Sequence, residues 1–147
     1  WYDDQLPELC ANTTIPIMAD ESCYNHHDAR MLIKRQATEH INIKFAKSGG
    51  ILEAQKIHET AAQHGVKCMM GGMLESRLAA SAFLHFALAS PNVVFYDMDT
   101  CMLGHLEDPI KDGLTYSGYF LDIPEIPGIG ADVKQEFLDK CDKWVVE

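Results

Sequence analysis

The sequence lacks the short motifs that most often identify a chemical class. No C-x-x-C pair occurs among its five cysteines, which argues against a zinc ribbon and against a disulfide framework. The cysteines therefore favour reduced thiols in a cytoplasmic protein. The phosphate-binding patterns G-x-x-x-x-G-K-[ST] and G-x-G-x-x-G are also absent. The most apolar stretch, residues 79–89, is too short to span a bilayer and contains His85, so we expect no membrane segment.

Positive charge is scarce as well. Twelve Lys and Arg residues stand against 22 Asp and Glu residues, which gives a net charge of −10. This balance argues against nucleic acid or an anionic membrane as a partner. The chain of 147 residues, 47% hydrophobic and 23% charged, has the length and composition of one globular domain with a modest core.

Four apolar, strand-like runs occur at a constant spacing. They begin at Ile15, Ile41, Lys67 and Val93, each 26 residues after the last, and helix-like stretches fill the intervals. Repeated strand–helix units predict a parallel sheet, because parallel neighbours need a long crossover connection. We therefore predict an α/β fold in which the fourth strand, residues 93–97, is apolar throughout and buried on both faces.

The strand–helix period holds as far as Asp99 and is lost beyond it. In the helix predicted at residues 51–64, Leu52 belongs to the apolar stripe that we expect to be buried. Residues 100–130 are rich in loops, with a short strand or hairpin within residues 116–123. The predicted helices are residues 28–36, 51–64, 74–89 and 132–146.

Charged residues follow the ends of three of the predicted strands. Asp20 ends the first strand, Lys44 the second and Asp97 the fourth. The carboxyl ends of parallel strands share one rim, which is where barrel enzymes of this architecture keep their active sites. We expect these three residues to form one candidate site.

The first two of these residues each have a functional and a structural interpretation. The Asp20 carboxylate is suited to a hard cation such as Mg²⁺, but capping of the next helix is the commoner role of an aspartate after a strand. Lys44 shares a strand face with Asn42, and partial desolvation there would lower its pKa and suit proton transfer. Alternatively, the Lys44 ammonium reaches solvent at the rim. We expect Lys47, in the loop beyond, to be solvated or to cap a helix.

Two carboxylates lie two residues apart in Asp97-Met98-Asp99, hence on one face of an extended chain. Like charges so close cost free energy unless a cation satisfies them, which favours a metal, an ammonium group or a buried lysine as the partner. Turn formation is the structural alternative. Gly72, in the pair after the third strand, permits either close approach of a ligand or a tight turn.

Five segments form a longer pattern in a fixed order. They are IPIMADES at 15–22, INIKFAKSGG at 41–50, GMLES at 72–76, YDMDT at 96–100 and PEIPGIG at 124–130. Together they resemble the enolase superfamily, and within it the dipeptide epimerases of the muconate-lactonizing subgroup. The resemblance implies the C-terminal half, strands five to eight, of a TIM-type (β/α)7β barrel in residues 1–99. Residues 100–147 would then pack on the barrel or on a missing capping domain.

The resemblance also implies a role for each candidate residue. Asp20 matches the third of three Mg²⁺ ligands, and Lys44 matches one of two opposed acid/base lysines. Asp97 and Asp99 match the pair that holds the α-ammonium group of the dipeptide, and Gly72 falls where a loop lines the substrate. The reaction implied is the superfamily's 1,1-proton transfer, with Mg²⁺ stabilising an ene-diolate.

The resemblance covers only the second half of that barrel, and the first residue is Trp1 rather than Met. We expect a fragment, or one piece of a split enzyme, that is inactive alone. Its partners would be the missing N-terminal half with its capping domain, a dipeptide substrate and further copies of itself. The alternatives are a cycloisomerase, an N-acylamino acid racemase or a non-catalytic half-barrel.

Overall fold

The computed structural model describes residues 4–144, and its main feature is a parallel sheet of four strands in the order β1-β2-β3-β4. The α/β fold with parallel strands predicted from the sequence is confirmed. The first strand is shorter than residues 15–20, since Ile15 is exposed and only two residues pair with β2. The strands are β1 Met18–Ala19, β2 His40–Ile43, β3 Lys67–Met70 and β4 Val93–Tyr96.

Helices precede the sheet and connect its strands. The helix predicted at residues 74–89 begins only at Arg77, after Ser76 in extended conformation. None of the helices within residues 4–144 is long and apolar enough to cross a membrane. The helices are α1 Leu6–Asn12, α2 His26–Lys34, α3 Phe45–Ser48, α4 Ile51–Gln63 and α5 Arg77–Ala89.

The core lies between the sheet and its connecting helices. Ile41 and Ile43 of β2 alternate with polar neighbours and are fully buried against Ile57 of α4 and Phe83 of α5. Leu52, which we expected in the buried stripe of α4, is exposed. The stripe follows positions 54, 57 and 61, and residue 52 falls on the opposite side of the helix.

Strand β4 is the least covered strand of the sheet. Val93 is buried, but Val94, Phe95 and Tyr96 are exposed. The prediction that β4 is buried on both faces is therefore wrong for this chain. The reason is its position, because β4 is an edge strand and no strand within residues 4–144 pairs with its outer side.

The C-terminal segment contains short antiparallel pairs. Strands β6 and β7 form the hairpin predicted within residues 116–123. The helix predicted over residues 132–146 is wrong: Asp132 pairs with Lys111 in a strand ladder, and only four of the residues described in this range are helical. Val146 lies outside the described residues. The elements are a 3₁₀ turn Thr100–Met102, β5 Ile110–Asp112, β6 Thr115–Ser117, β7 Phe120–Asp122, β8 Ala131–Val133 and α6 Gln135–Leu138.

Arg77, the first residue of α5, connects the helical layer to the C-terminal segment. Its guanidinium contacts the Asp108 carboxylate at 2.7 Å and donates to the carbonyl oxygens of Ile110 at 2.7 Å and Leu114 at 3.0 Å. A further bond goes to the carbonyl of Asp112. The planar fork of arginine serves four acceptors at once, which a lysine ammonium does not match.

We predict that Arg77→Lys lowers the free energy of unfolding by about 2 kcal/mol, because several hydrogen bonds to α5 are lost. Urea unfolding followed by circular dichroism measures this change. Arg35→Lys is the matched control, since Arg35 makes one exposed ion pair with Asp4 and its replacement is expected to cost about 0.5 kcal/mol or less. Equal effects of the two substitutions would show that Arg77 is not a structural anchor.

Candidate active site at the carboxyl ends of the parallel strands

The candidate residues meet at one edge of the sheet. Asp20 directly follows β1, Lys44 follows β2, Gly72 lies two residues after β3 and Asp97 follows β4. All four strands run parallel, so these positions share the rim at the carboxyl ends. The shared location expected from the sequence is present, while the chemical roles of these residues stay predictions.

Asp20 is the centre of an ion-pair network. Its Oδ2 lies 2.8 Å from Lys44 Nζ and accepts a hydrogen bond from Asn42 Nδ2 at 3.2 Å, and its Oδ1 lies 3.0 Å from Lys47 Nζ. Burial by itself would raise the pKa of Asp20, but the hydrogen bonds and charges of the two lysines outweigh it and lower the pKa. Asp20 does not cap α2, because Asn25 does so by accepting from the first turn of that helix.

Lys44 is held inside this network and does not extend into solvent. Its side chain is 10% exposed, and its ammonium pairs with Asp20 and with Glu21 Oε1 at 3.1 Å. Burial lowers the pKa of Lys44, yet the two carboxylates raise it by more, so the net pKa is raised. Our expectation of a lowered pKa is wrong for this arrangement, because desolvation is outweighed by two close negative charges.

Lys47 is the site residue that we misjudged from the sequence. We expected it to be solvated or to cap a helix, but its side chain is only 4% exposed. Besides Asp20 Oδ1, its ammonium contacts the Asp20 carbonyl at 2.5 Å and the Asn42 carbonyl at 2.9 Å. No spacing rule signalled this, because Lys44 is in extended conformation and Lys47 lies in the short helix α3 that follows it.

Asp97 and Asp99 form an acidic pair close to this network. The charge of Asp99 and a hydrogen bond to it add to burial in raising the pKa of Asp97, and the Lys44 ammonium partly offsets them. Asp97 and Asp99 line one cavity at this rim, and the charge of the Lys44 ammonium acts on Asp97. The turn interpretation holds for the backbone of Asp99, which begins the 3₁₀ turn, while its side chain makes no capping bond there.

The two glycines after β3 allow close packing of loops at the rim. A Cβ on Gly71 would collide with the side-chain amide of Asn42, and a Cβ on Gly72 would lie 2.7 Å from Thr100 Oγ1. Gly72 therefore packs beside the residue that follows the acidic pair. Its contact with a substrate stays a prediction.

The residues of this chain do not by themselves fit a magnesium site. Mg²⁺ requires near-octahedral coordination by oxygen ligands. Asp20 supplies a single carboxylate, and that carboxylate is already paired with Lys44 and Lys47. Within residues 4–144, no group of three or more His, Cys, Asp or Glu side chains is placed to hold a metal ion.

Known proteins are similar to this chain in both sequence and fold. The enolase C-terminal domain-like family matches residues 1–137. The D-Ala-D/L-Ala epimerase of Cytophaga hutchinsonii is 40% identical over 139 residues, which cover 94% of this chain and 38% of that protein. The L-Ala-D/L-Glu epimerase of Bacillus subtilis is 39% identical over 125 residues, which cover 85% of this chain and 34% of that protein.

A solved structure is similar to this chain in fold as well as in sequence. The dipeptide epimerase from Cytophaga hutchinsonii, complexed with Mg and the dipeptide D-Ala-L-Val, superposes with a TM-score of 0.88 at 40% identity. The superposition covers 92% of this chain and 37% of that one. This chain thus spans little more than a third of its relatives, and its four parallel strands are half of a TIM-type barrel. It belongs to the enolase superfamily, as a member of the enolase C-terminal domain-like family.

Proposed function

We propose that the complete protein carrying this chain is a Mg²⁺-dependent dipeptide epimerase that inverts an α-carbon by 1,1-proton transfer. The observation that supports this proposal is the placement of a buried lysine, Lys44, and the acidic pair Asp97 and Asp99 at the same carboxyl-end rim of the parallel sheet. A base beside the α-carbon and an anionic site for an ammonium group are the two features that the reaction requires of this half of the barrel.

Lys44 would transfer a proton on one face of the α-carbon. As an ammonium it donates a proton to the carbanion, and as a neutral amine it takes the α-proton from the other stereoisomer. A second lysine, which the family resemblance implies in the N-terminal half, would make the complementary transfer on the opposite face. One proton leaves and one returns, so substrate and product differ only in configuration.

Asp97 and Asp99 would bind the α-ammonium group of the dipeptide. Mutual repulsion and burial disfavour two unpaired carboxylates, and a cation between them relieves both costs. This pair favours a dipeptide over an N-acylamino acid or a cycloisomerase substrate, since those substrates carry no free ammonium group. Gly72 would line the same cavity from the loop after β3.

The proposal assigns the rest of the site to parts of the protein outside this chain. Asp20 would contribute one of three Mg²⁺ ligands, and the N-terminal half of the barrel and a capping domain would contribute the others and close the cavity. The exposed face of β4 offers a surface for that half. We propose that the half-barrel comprises residues 1–99 and that the C-terminal segment comprises residues 100–147. We also propose that the complete protein associates into homo-oligomers.

We predict that Lys44→Ala reduces epimerisation in the complete protein by about 100-fold or more, because a positioned acid/base group is lost. Conversion of L-Ala-L-Glu into its epimer, followed by polarimetry, measures this rate, whereas exchange of the α-proton with D₂O does not, because the lysine on the opposite face would still exchange the proton of its own stereoisomer. Lys56→Ala is the matched control, because Lys56 is an exposed lysine of α4 that pairs with Glu53. A normal rate in Lys44→Ala would remove the catalytic role of this lysine.

Asp97→Asn and Asp99→Asn are each expected to raise KM for dipeptides by about 10-fold, because a charge-assisted contact to the ammonium group becomes neutral. Steady-state kinetics on L-Ala-L-Glu measures the change. Asp122→Asn, an exposed position on β7, serves as the control. Unchanged KM values, together with turnover of N-acylamino acids, would instead favour the racemase alternative.

The 147-residue chain alone is expected to show no saturable binding of Mg²⁺ at millimolar concentrations, because the described residues place no group of three ligand side chains together and the Asp20 carboxylate is already paired with two lysines. Isothermal titration calorimetry measures this, and Asp20→Asn should give the same trace as the unmodified chain. Saturable binding that Asp20→Asn abolishes would contradict the incomplete-site interpretation.

A further inference from the structure

Tyr116 reaches from the C-terminal hairpin to the segment that joins the two rim aspartates. Its hydroxyl donates to the carbonyl oxygen of Met98 at 2.5 Å and lies 2.8 Å from Cys101 Sγ. The ring is partly buried against the core. Because the Met98 carbonyl belongs to the peptide between Met98 and Asp99, this bond fixes the orientation of the peptide that connects the acidic pair.

The rest of the segment is anchored by backbone bonds at both ends. Asp97 N donates to the carbonyl of Met70 at 2.9 Å, which ties the start of the segment to β3. Met102 N donates to the carbonyl of Asp99 at 2.8 Å, which ties its end to the 3₁₀ turn. The carbonyl between these anchors is held by a side chain 18 residues away, in a different element.

The hydrogen bond from Tyr116 to the Met98 carbonyl counteracts the electrostatic repulsion between the carboxylates of Asp97 and Asp99. Asp97 is half-buried and Asp99 is exposed, so without a restraint the two carboxylates would separate by rotation of the peptide between them. Burial and the contact with Cys101 raise the pKa of Tyr116, in keeping with a hydroxyl that donates to the Met98 carbonyl. Binding of one ammonium group by both carboxylates requires their separation to be fixed in advance.

We propose that Tyr116 is a positioning residue that holds Asp97 and Asp99 at the separation needed to bind the substrate ammonium group. The inference rests on the proposed function of this site and adds a residue that acts through the two aspartates. It also gives the β6–β7 hairpin a role in substrate affinity, because the hairpin carries Tyr116 to the rim.

Tyr116→Phe removes the hydroxyl and keeps the ring. In the complete protein we expect a rise in KM for dipeptides of about 3- to 10-fold, with kcat changed less, since one hydrogen bond that organises ground-state binding is lost. The inhibition constant of an N-acetylated dipeptide, which has no ammonium group, should stay unchanged. Tyr119→Phe is the matched control, because it removes a hydroxyl from a fully exposed tyrosine of the same hairpin.

A double-mutant comparison separates positioning from general structural damage. In an Asp97→Asn, Asp99→Asn background, Tyr116→Phe should have no further effect on KM. An additive effect there, or an equal weakening of the N-acetylated inhibitor, would overturn the positioning role.

The same series distinguishes failure of the inference from failure of the proposed function. If Asp97→Asn raises KM and Tyr116→Phe does not, the positioning role is wrong while ammonium binding stands. If neither aspartate substitution changes KM, the ammonium site itself is wrong, and the role of Tyr116 falls with it.

Discussion

Parallel pairing of β1 to β4 is the constraint on which the rest of the site depends. It brings the residues that follow each strand to a single edge, although Asp20 and Asp97 are far apart in sequence. The helices cover the apolar positions of β2 and β3 and leave this rim free for polar groups. A site at this edge therefore follows from strand direction, before any particular side chain is considered.

Within the rim, Asp20 determines the electrostatics. One carboxylate serves two buried ammonium groups, which makes burial of Lys44 and Lys47 tolerable without neutralising either. The same contacts raise the pKa of Lys44 although burial alone would lower it.

Strand spacing and strand-end residues were sufficient to predict the parallel sheet and the rim location of Asp20, Lys44 and Asp97, because both follow from local patterns. Tertiary effects account for the errors. The sequence predicts a solvated Lys47, but in the fold its ammonium donates to the carbonyl oxygens of Asp20 and Asn42. Residues around Asp132 have a helical pattern but pair with β5, which lies about twenty residues earlier in the chain.

The most direct test of the account is a crystal structure of the complete protein with a bound dipeptide. We expect Lys44 Nζ in contact with the α-carbon that is inverted, and the substrate ammonium between the carboxylates of Asp97 and Asp99. An ammonium group bound elsewhere, with Lys44 on the side of the barrel away from the substrate, would contradict the account.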